Sequence, residues 1–177
     1  MINAREYASA LFSLTEELGT TERVREEISG VISLFSENPE YAKLLDTPAI
    51  SKEERIKLID EAFSALDTNL VNFMKILSER REAHSISTAA KEYLALYDAS
   101  RGIERVTAVT AVPMTEAQIS AMTEKLEKMT GKKIIITNTL EPAMLGGVKI
   151  RYSGKQLDGS LKTRLDDFEA RLKNIVL

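Results

Sequence analysis

The sequence predicts a mainly helical chain in two parts, a six-helix bundle over residues 1–105 followed by a small α/β (α+β) domain over residues 106–177. Apolar residues recur at helical spacing through the first hundred residues, and alternating β-branched residues begin after Gly102. The charge also changes sign. Residues 1–105 hold 13 Lys and Arg against 19 Asp and Glu, whereas residues 106–177 hold 11 against 8. The two parts therefore present different surfaces.

Capping residues and helix stops delimit the six predicted helices. A Ser, Thr, Asp or Asn side chain at a helix start accepts a hydrogen bond from backbone N–H groups that have no partner within the helix. Gly19 and Gly102 follow the last apolar positions of the first and sixth helices, and Thr47–Pro48 stops the third. In chain order, the predicted starts are Asn3, Thr20–Thr21, Asn38–Pro39, Ser51 with Glu54 as a capping box, Asp67 or Asn69, and Ser85.

The second part is predicted to contain four strands and two helices. Thr115 and Gln118 form another capping box, which opens a helix that reaches about Met129. The last helix begins near Ser160 and carries apolar residues at helical spacing. The predicted strands are Arg105–Val112, Lys133–Thr137, Val148–Tyr152 and Gln156–Asp158.

The composition excludes several classes of site. With no cysteine and one histidine, His84, the sequence has no thiolate site and no multi-histidine metal centre. No run of 18 apolar residues is present for a membrane span, and the first residues do not resemble a signal peptide. Neither part has the dense Lys/Arg stripe of a nucleic-acid-binding protein. We therefore expect a bacterial cytosolic protein that binds no cofactor and no nucleic acid.

Two motifs could suggest a catalytic or ligand-binding site, but their surrounding residues do not fit one. Gly154–Lys155 resembles the end of a phosphate-binding loop, but Lys149 stands where that loop needs glycine, and Gln156 where it needs Ser or Thr. The carboxylates of Asp166–Glu169 are flanked by basic residues and predict a solvated, ion-paired face. The sequence therefore predicts no enzyme, although a small enzyme with an unmarked site stays an alternative.

The first and fifth helices each carry a second apolar stripe beside the one that a bundle needs. Two such helices side by side would form a groove for a partner helix, with Ala10 as its floor. Alternatively, both helices are central and buried all round. The core stripe of the first helix is Ala4, Ala8, Leu11, Thr15 and Leu18. The candidate groove residues are Tyr7, Ala10 and Leu14 in the first helix and Phe73, Ile76 and Arg80 in the fifth.

Several runs of residues together resemble the delta subunit of the bacterial F-type ATP synthase, the counterpart of the mitochondrial oligomycin-sensitivity-conferring protein. The resemblance covers nearly the whole chain and depends on the order and spacing of the runs. Glu141, where the family usually has Asp, and the absence of Asn-Gly-Arg around Arg80–Glu82 are departures. The matching runs are Tyr7–Phe12, Leu44–Ile50, Asn72–Leu77, Val109–Thr115, Glu141–Ile150 and Asp158–Leu165.

The resemblance implies a non-catalytic stator subunit, peripheral to the cytoplasmic face of the bacterial cell membrane. A subunit of this kind is expected to resist rotor torque so that proton flow drives ATP synthesis. The implied partners are the N-terminal helix of an alpha subunit on the first domain, the C-terminal region of the b subunits on the second, and other ATP synthase subunits. The alternative is a generic cytosolic adaptor that binds an unrelated amphipathic helix.

The positive balance of the second domain suggests where acidic or amphipathic stalk helices bind. A solvated charged face explains the same balance without a partner. The residues expected on the surface that binds the b subunits are Lys149, Arg151, Lys155, Lys162 and Arg164.

Overall fold

The computed structural model describes residues 4–144, 146–152 and 155–160, the last segment by its backbone except for Gln156. The chain divides into two compact units, Met1–Ser100 and Arg101–Leu177. The described residues are mainly helical and include one small sheet, which agrees with the predicted class of a mainly helical chain with an α+β part. Whether residues 1–105 and 106–177 act as separate domains stays a prediction.

The described part of the first unit contains six α-helices and one 3₁₀ helix around a shared hydrophobic core. The predicted capping box is present, since Ser51 Oγ accepts from Glu54 N at 3.2 Å and the Glu54 carboxylate accepts from Ser51 N at 2.8 Å. Asp67 caps the fifth helix by accepting from Asn69 N at 2.9 Å. The helices are α1 Ala4–Leu18, α2 Thr21–Glu37, α3 Pro39–Asp46, α4 Lys52–Phe63, α5 Thr68–Glu79, the 3₁₀ helix Ala83–Ser85, and α6 Ile86–Ser100.

Apolar side chains from all six α-helices form the core, and their removal from water is the main favourable term in folding. α1 lies against α6, α2 and α5. Its predicted core stripe holds for Ala8, Leu11 and Thr15, which are buried. Leu18 departs from the prediction with 54% exposure, because it is the last residue of α1, where the helix ends at Gly19.

The described part of the second unit contains a mixed four-stranded sheet in the order β2-β1-β3-β4. β1 and β2 are parallel and are joined through α7, whereas β3 is antiparallel to β1 and to β4. Gly131 ends α7 with φ of 68°, a conformation that glycine adopts without strain. The elements are β1 Ile103–Thr110, α7 Glu116–Thr130, β2 Lys133–Leu140, β3 Gly147–Tyr152 and β4 Lys155–Ser160.

The strand bounds differ from the predicted ones. β1 begins at Ile103 and ends at Thr110, where Thr110 Oγ1 donates to Val112 O and the chain turns before Pro113. β2 continues past Thr137 to Leu140, because each of its residues pairs with β1. β4 extends to Ser160 for the same reason, through its pairing with β3. The predicted last helix falls at 161–177, outside the described residues.

Candidate functional site

α1 and α5 are neighbours, and a cavity of about 190 Å³ opens between them. We call this cavity and its rims the α1–α5 groove. Its lining residues span two helical turns on each helix. They are Tyr7, Ala10, Leu11 and Leu14 of α1 and Asn69, Asn72, Phe73 and Ile76 of α5. Five of the six predicted groove residues thus lie together in one cavity.

Burial distinguishes the floor of the groove from its rims. Leu11 and Phe73 are only 4% and 5% exposed and form the floor. Leu14 and Ile76 are 42% and 46% exposed and form apolar rims. Ala10 also lines the cavity and is itself exposed, so the predicted approach of a partner backbone at this small residue stays a prediction.

Neither α1 nor α5 is buried all round, and whether the groove between them binds a partner helix stays a prediction. Each helix contributes buried side chains to the core, such as Ala8 and Met74, and each leaves a second apolar stripe accessible. Leu18 lies one turn beyond Leu14 along α1 and is also exposed. It therefore continues the apolar rim past the end of the cavity.

Arg80, the sixth predicted groove residue, lies at the end of the groove. It is the C-cap residue of α5, and its Cζ atom is 5.9 Å from the ring centroid of Tyr7. This distance allows a cation–π contact with Tyr7. Arg80 therefore contacts a lining residue and does not line the cavity itself.

Asn69 and Asn72 are lining residues that the sequence analysis missed. Asn69 precedes the apolar residues of α5, and Asn72 interrupts them three residues later. This spacing places both on the side of the helix that carries Phe73 and Ile76. That spacing could have identified both asparagines as lining residues. They were missed because the stripe was defined by apolar residues alone.

The structure brings together two of the residues predicted to bind the b subunits. Lys149 and Arg151 occupy alternate positions of β3 and so share one sheet face. Lys149 Nζ lies 3.3 Å from Glu141 Oε1, and Arg151 Nε donates to Gln156 Oε1 at 3.0 Å. The backbone of Lys155 pairs with Tyr152, and its side chain is outside the described part of the chain, as are residues 162 and 164.

The strand register adds two basic residues to that face. Arg151 is opposite Thr107 of β1, so Arg105, two residues away, lies on the same side. Lys133 pairs with Ile103, also on that side of β1. We call the surface of Arg105, Lys133, Lys149 and Arg151 the basic sheet face. Strand order, which the sequence did not provide, was needed to find it.

His84, the single histidine, lies in the 3₁₀ helix. Its Nδ1 is 2.6 Å from Asp46 Oδ2, and its side chain is 67% exposed. Within residues 4–144, 146–152 and 155–160, no three His, Asp or Glu side chains are placed to hold a metal ion together. In the same described residues, no helix is both long and apolar enough to cross a bilayer.

Comparisons with known proteins identify the family. The family described as the ATP synthase delta (OSCP) subunit matches residues 4–172. ATP synthase subunit delta of Geobacillus sp. (strain WCH70) is 33% identical over 172 residues, which are 97% of each chain. Subunit delta of Clostridioides difficile (strain 630) is 31% identical over an alignment 180 residues long, which covers 99% of each chain.

A solved structure shares the fold. One chain of the cryo-EM structure of the Toxoplasma gondii mitochondrial ATP synthase hexamer superposes with a TM-score of 0.76 at 20% identity. The match covers 97% of this chain and 98% of that chain. The resemblance found in the sequence is confirmed by the family match and by the two bacterial relatives. The chain therefore belongs to the ATP synthase delta (OSCP) subunit family, as a non-catalytic subunit associated with the stator.

Proposed function

We propose that the α1–α5 groove binds the N-terminal helix of an ATP synthase alpha subunit, and that the basic sheet face binds the C-terminal region of the b subunits. Residues 1–105 then act as one six-helix bundle on the catalytic head, and residues 106–177 hold the peripheral stalk. Together with other ATP synthase subunits at the cytoplasmic face of the bacterial cell membrane, the chain resists rotor torque while proton flow drives ATP synthesis.

The exposed apolar rims of the groove carry the first part of this proposal. Leu14 and Ile76 are large, accessible side chains on either side of a buried floor. An amphipathic helix offers apolar side chains at i, i+3, i+4 and i+7, which suits a groove two turns long. Covering a half-exposed Leu or Ile contributes roughly 1 kcal/mol, since full burial contributes about 1.5–3 kcal/mol.

Titration calorimetry with a peptide of the alpha subunit's N-terminal helix tests the groove. We expect Tyr7→Ala, Leu14→Ala and Ile76→Ala each to weaken binding roughly tenfold, the loss typical of an anchor at an interface. Ala10→Trp should weaken binding further, because its indole would fill part of the groove that Ala10 lines. Leu44→Ala in α3 is the matched control, since Leu44 is 43% exposed and lines no part of this cavity.

The titrations, together with a thermal melt of each variant, show whether the second apolar stripe binds a partner or only stabilises the bundle. Each variant should melt close to the wild type, because Ala8, Leu11, Met74 and Leu77 keep the core intact. If the groove variants bind the peptide as tightly as Leu44→Ala does, the groove is not the alpha site. If they unfold, the second stripe belongs to the core.

The assignment of the basic sheet face is tested by charge reversal in the full chain. We expect Lys133→Glu combined with Arg151→Glu to weaken binding of a soluble fragment from the C-terminal region of b at least tenfold, and to reduce its salt dependence. Deleting residues 106–177 should abolish b binding and spare alpha binding. Lys125→Glu on α7 is the control with the same charge change per residue. Equal b affinity in the double variant and the control would refute the assignment.

A generic helix-binding adaptor would use the same groove. Affinity capture from the native membrane fraction separates the two functions. A stator subunit should recover alpha, beta and b chains together, and the Tyr7→Ala variant should recover less alpha chain. Recovery of other helical proteins without these chains would favour the adaptor.

A further inference from the structure

The α5 wall of the groove carries two amide side chains. Asn69 and Asn72 both line the cavity, and Asn72 is the more exposed of the two. Asn69 donates its backbone N–H to Asp67 at 2.9 Å, an interaction that caps the helix and leaves its side chain unused. In the part of the chain that the structure describes, neither side-chain amide makes a hydrogen bond to protein, so water is their partner in the free protein.

A helix seated in the groove would remove water from these amides. A polar group that loses water and gains no hydrogen bond costs about 1–3 kcal/mol. That cost matches or exceeds the roughly 1 kcal/mol gained by covering each half-exposed rim residue, Leu14 or Ile76. A uniformly apolar partner helix would therefore lose on α5 much of what it gains on the rims.

We infer that the partner helix carries an amide or hydroxyl side chain on its groove-facing side, and that this group hydrogen-bonds Asn72 and Asn69. The inference rests on the proposed function of the groove. Each Asn amide offers two donors and an acceptor oxygen, so a single Asn or Gln of the partner can hydrogen-bond to both. The apolar anchors bind on Leu14 and Ile76, and the polar contact lies on α5 toward the start of that helix.

This polar contact fixes the position of the partner along the groove. A slip of one helical turn moves the partner by about 5.4 Å and places an apolar side chain against the amides. In any other position the amides are left unpaired, and this cost favours the correct position. A single buried Asn fixes the register of a coiled coil in the same way. Asn69 and Asn72 are therefore specificity-determining residues, whereas the rims supply affinity.

A leucine scan of the peptide tests the inference. Each uncharged polar residue of the alpha N-terminal peptide is replaced by Leu and titrated into the wild type and into Asn72→Leu. In the wild type, we expect Leu at one position to weaken binding roughly tenfold. In Asn72→Leu, the same replacement should change affinity less than about twofold. Asn72→Leu alone should weaken binding of the unmodified peptide, although it adds apolar area.

Two controls keep the outcomes distinct. Ser33→Leu adds the same side chain on an exposed position of α2 and should not alter binding. Asn69→Leu repeats the test on the other amide, and a melt of each variant shows that it is folded. If no peptide position couples to either Asn while Tyr7→Ala still weakens binding, the inference is overturned and the groove stands. If Tyr7→Ala, Leu14→Ala and Ile76→Ala all leave affinity unchanged, both are overturned.

Discussion

The hydroxyl groups of Thr15 and Tyr93 meet in the core between α1 and α6, 2.8 Å apart, with both residues fully buried. Thr15 Oγ1 also donates to Phe12 O at 3.0 Å, which leaves the Tyr93 hydroxyl to donate to Thr15. Burial raises the pKa of Tyr93, so its hydroxyl keeps its proton across the physiological range. The Phe12 ring packs edge-on against Tyr93, with centroids 5.6 Å apart. These contacts hold α1, one of the two groove helices, against α6.

We expect Thr15→Val to lower the free energy of unfolding by about 1–3 kcal/mol, because the Tyr93 hydroxyl is then buried without an acceptor. Tyr93→Phe should cost less, about 1 kcal/mol, since Thr15 keeps its bond to Phe12 O. The double variant should be more stable than the sum of the two losses indicates, because no unpaired hydroxyl of Tyr93 remains. Urea unfolding measures all three, and strict additivity would show that the two hydroxyls are not coupled.

At the scale of elements, one carboxylate connects α3 to the segment between α5 and α6. Asp46, the last residue of α3, accepts from Ala83 N at 2.6 Å and from His84 N at 3.1 Å, in addition to the His84 ring. The two backbone N–H groups belong to the start of the 3₁₀ helix, where no intrahelical acceptor is available. Asp46 is therefore a capping residue supplied from a distant part of the chain.

Asp46→Ala should lower the free energy of unfolding by about 1–2 kcal/mol, the usual loss for a cap. The amide protons of Ala83 and His84 should exchange faster with solvent, while those in the middle of α6 stay protected. His84→Ala serves as the control, because it removes only an exposed ring contact and should cost less than about 0.5 kcal/mol. Equal losses for the two variants would mean that the ring, not the cap, carries the connection.

Residues close together in the sequence were sufficient to predict where helices begin. They were not sufficient to predict which elements pack against one another. The capping boxes at Ser51 and Thr115 depend on residues three apart, and both are present in the structure. Leu18 and Thr15 were expected on the same apolar stripe, yet one is exposed and the other hydrogen-bonded, because their surroundings are set by α6 and by the helix end. Likewise, sequence periodicity indicated the groove stripes, but the adjacency of α1 and α5 and the floor at Phe73 required the fold.

At the scale of the whole molecule, the core of the first unit draws all of its members from residues 8–93. We therefore expect a fragment of residues 1–105 to fold alone, with a helical circular dichroism spectrum and a cooperative melt. It should bind the alpha peptide within about twofold of the full chain, because every groove residue is present. A fragment of residues 1–102 is the control and should behave identically, since β1 begins at Ile103. A disordered fragment would contradict the division.

The groove between α1 and α5 also has a mechanical consequence. Its lining residues extend along two turns of each helix, so a seated helix would lie lengthwise between them. A pull along that axis loads the contacts at Tyr7, Leu14 and Ile76 in parallel, and all must slide together before the helix is released. A pull across the axis loads them one after another, and the helix peels away at low force. Single-molecule pulling on a linked peptide should therefore give a much higher rupture force along the groove than across it.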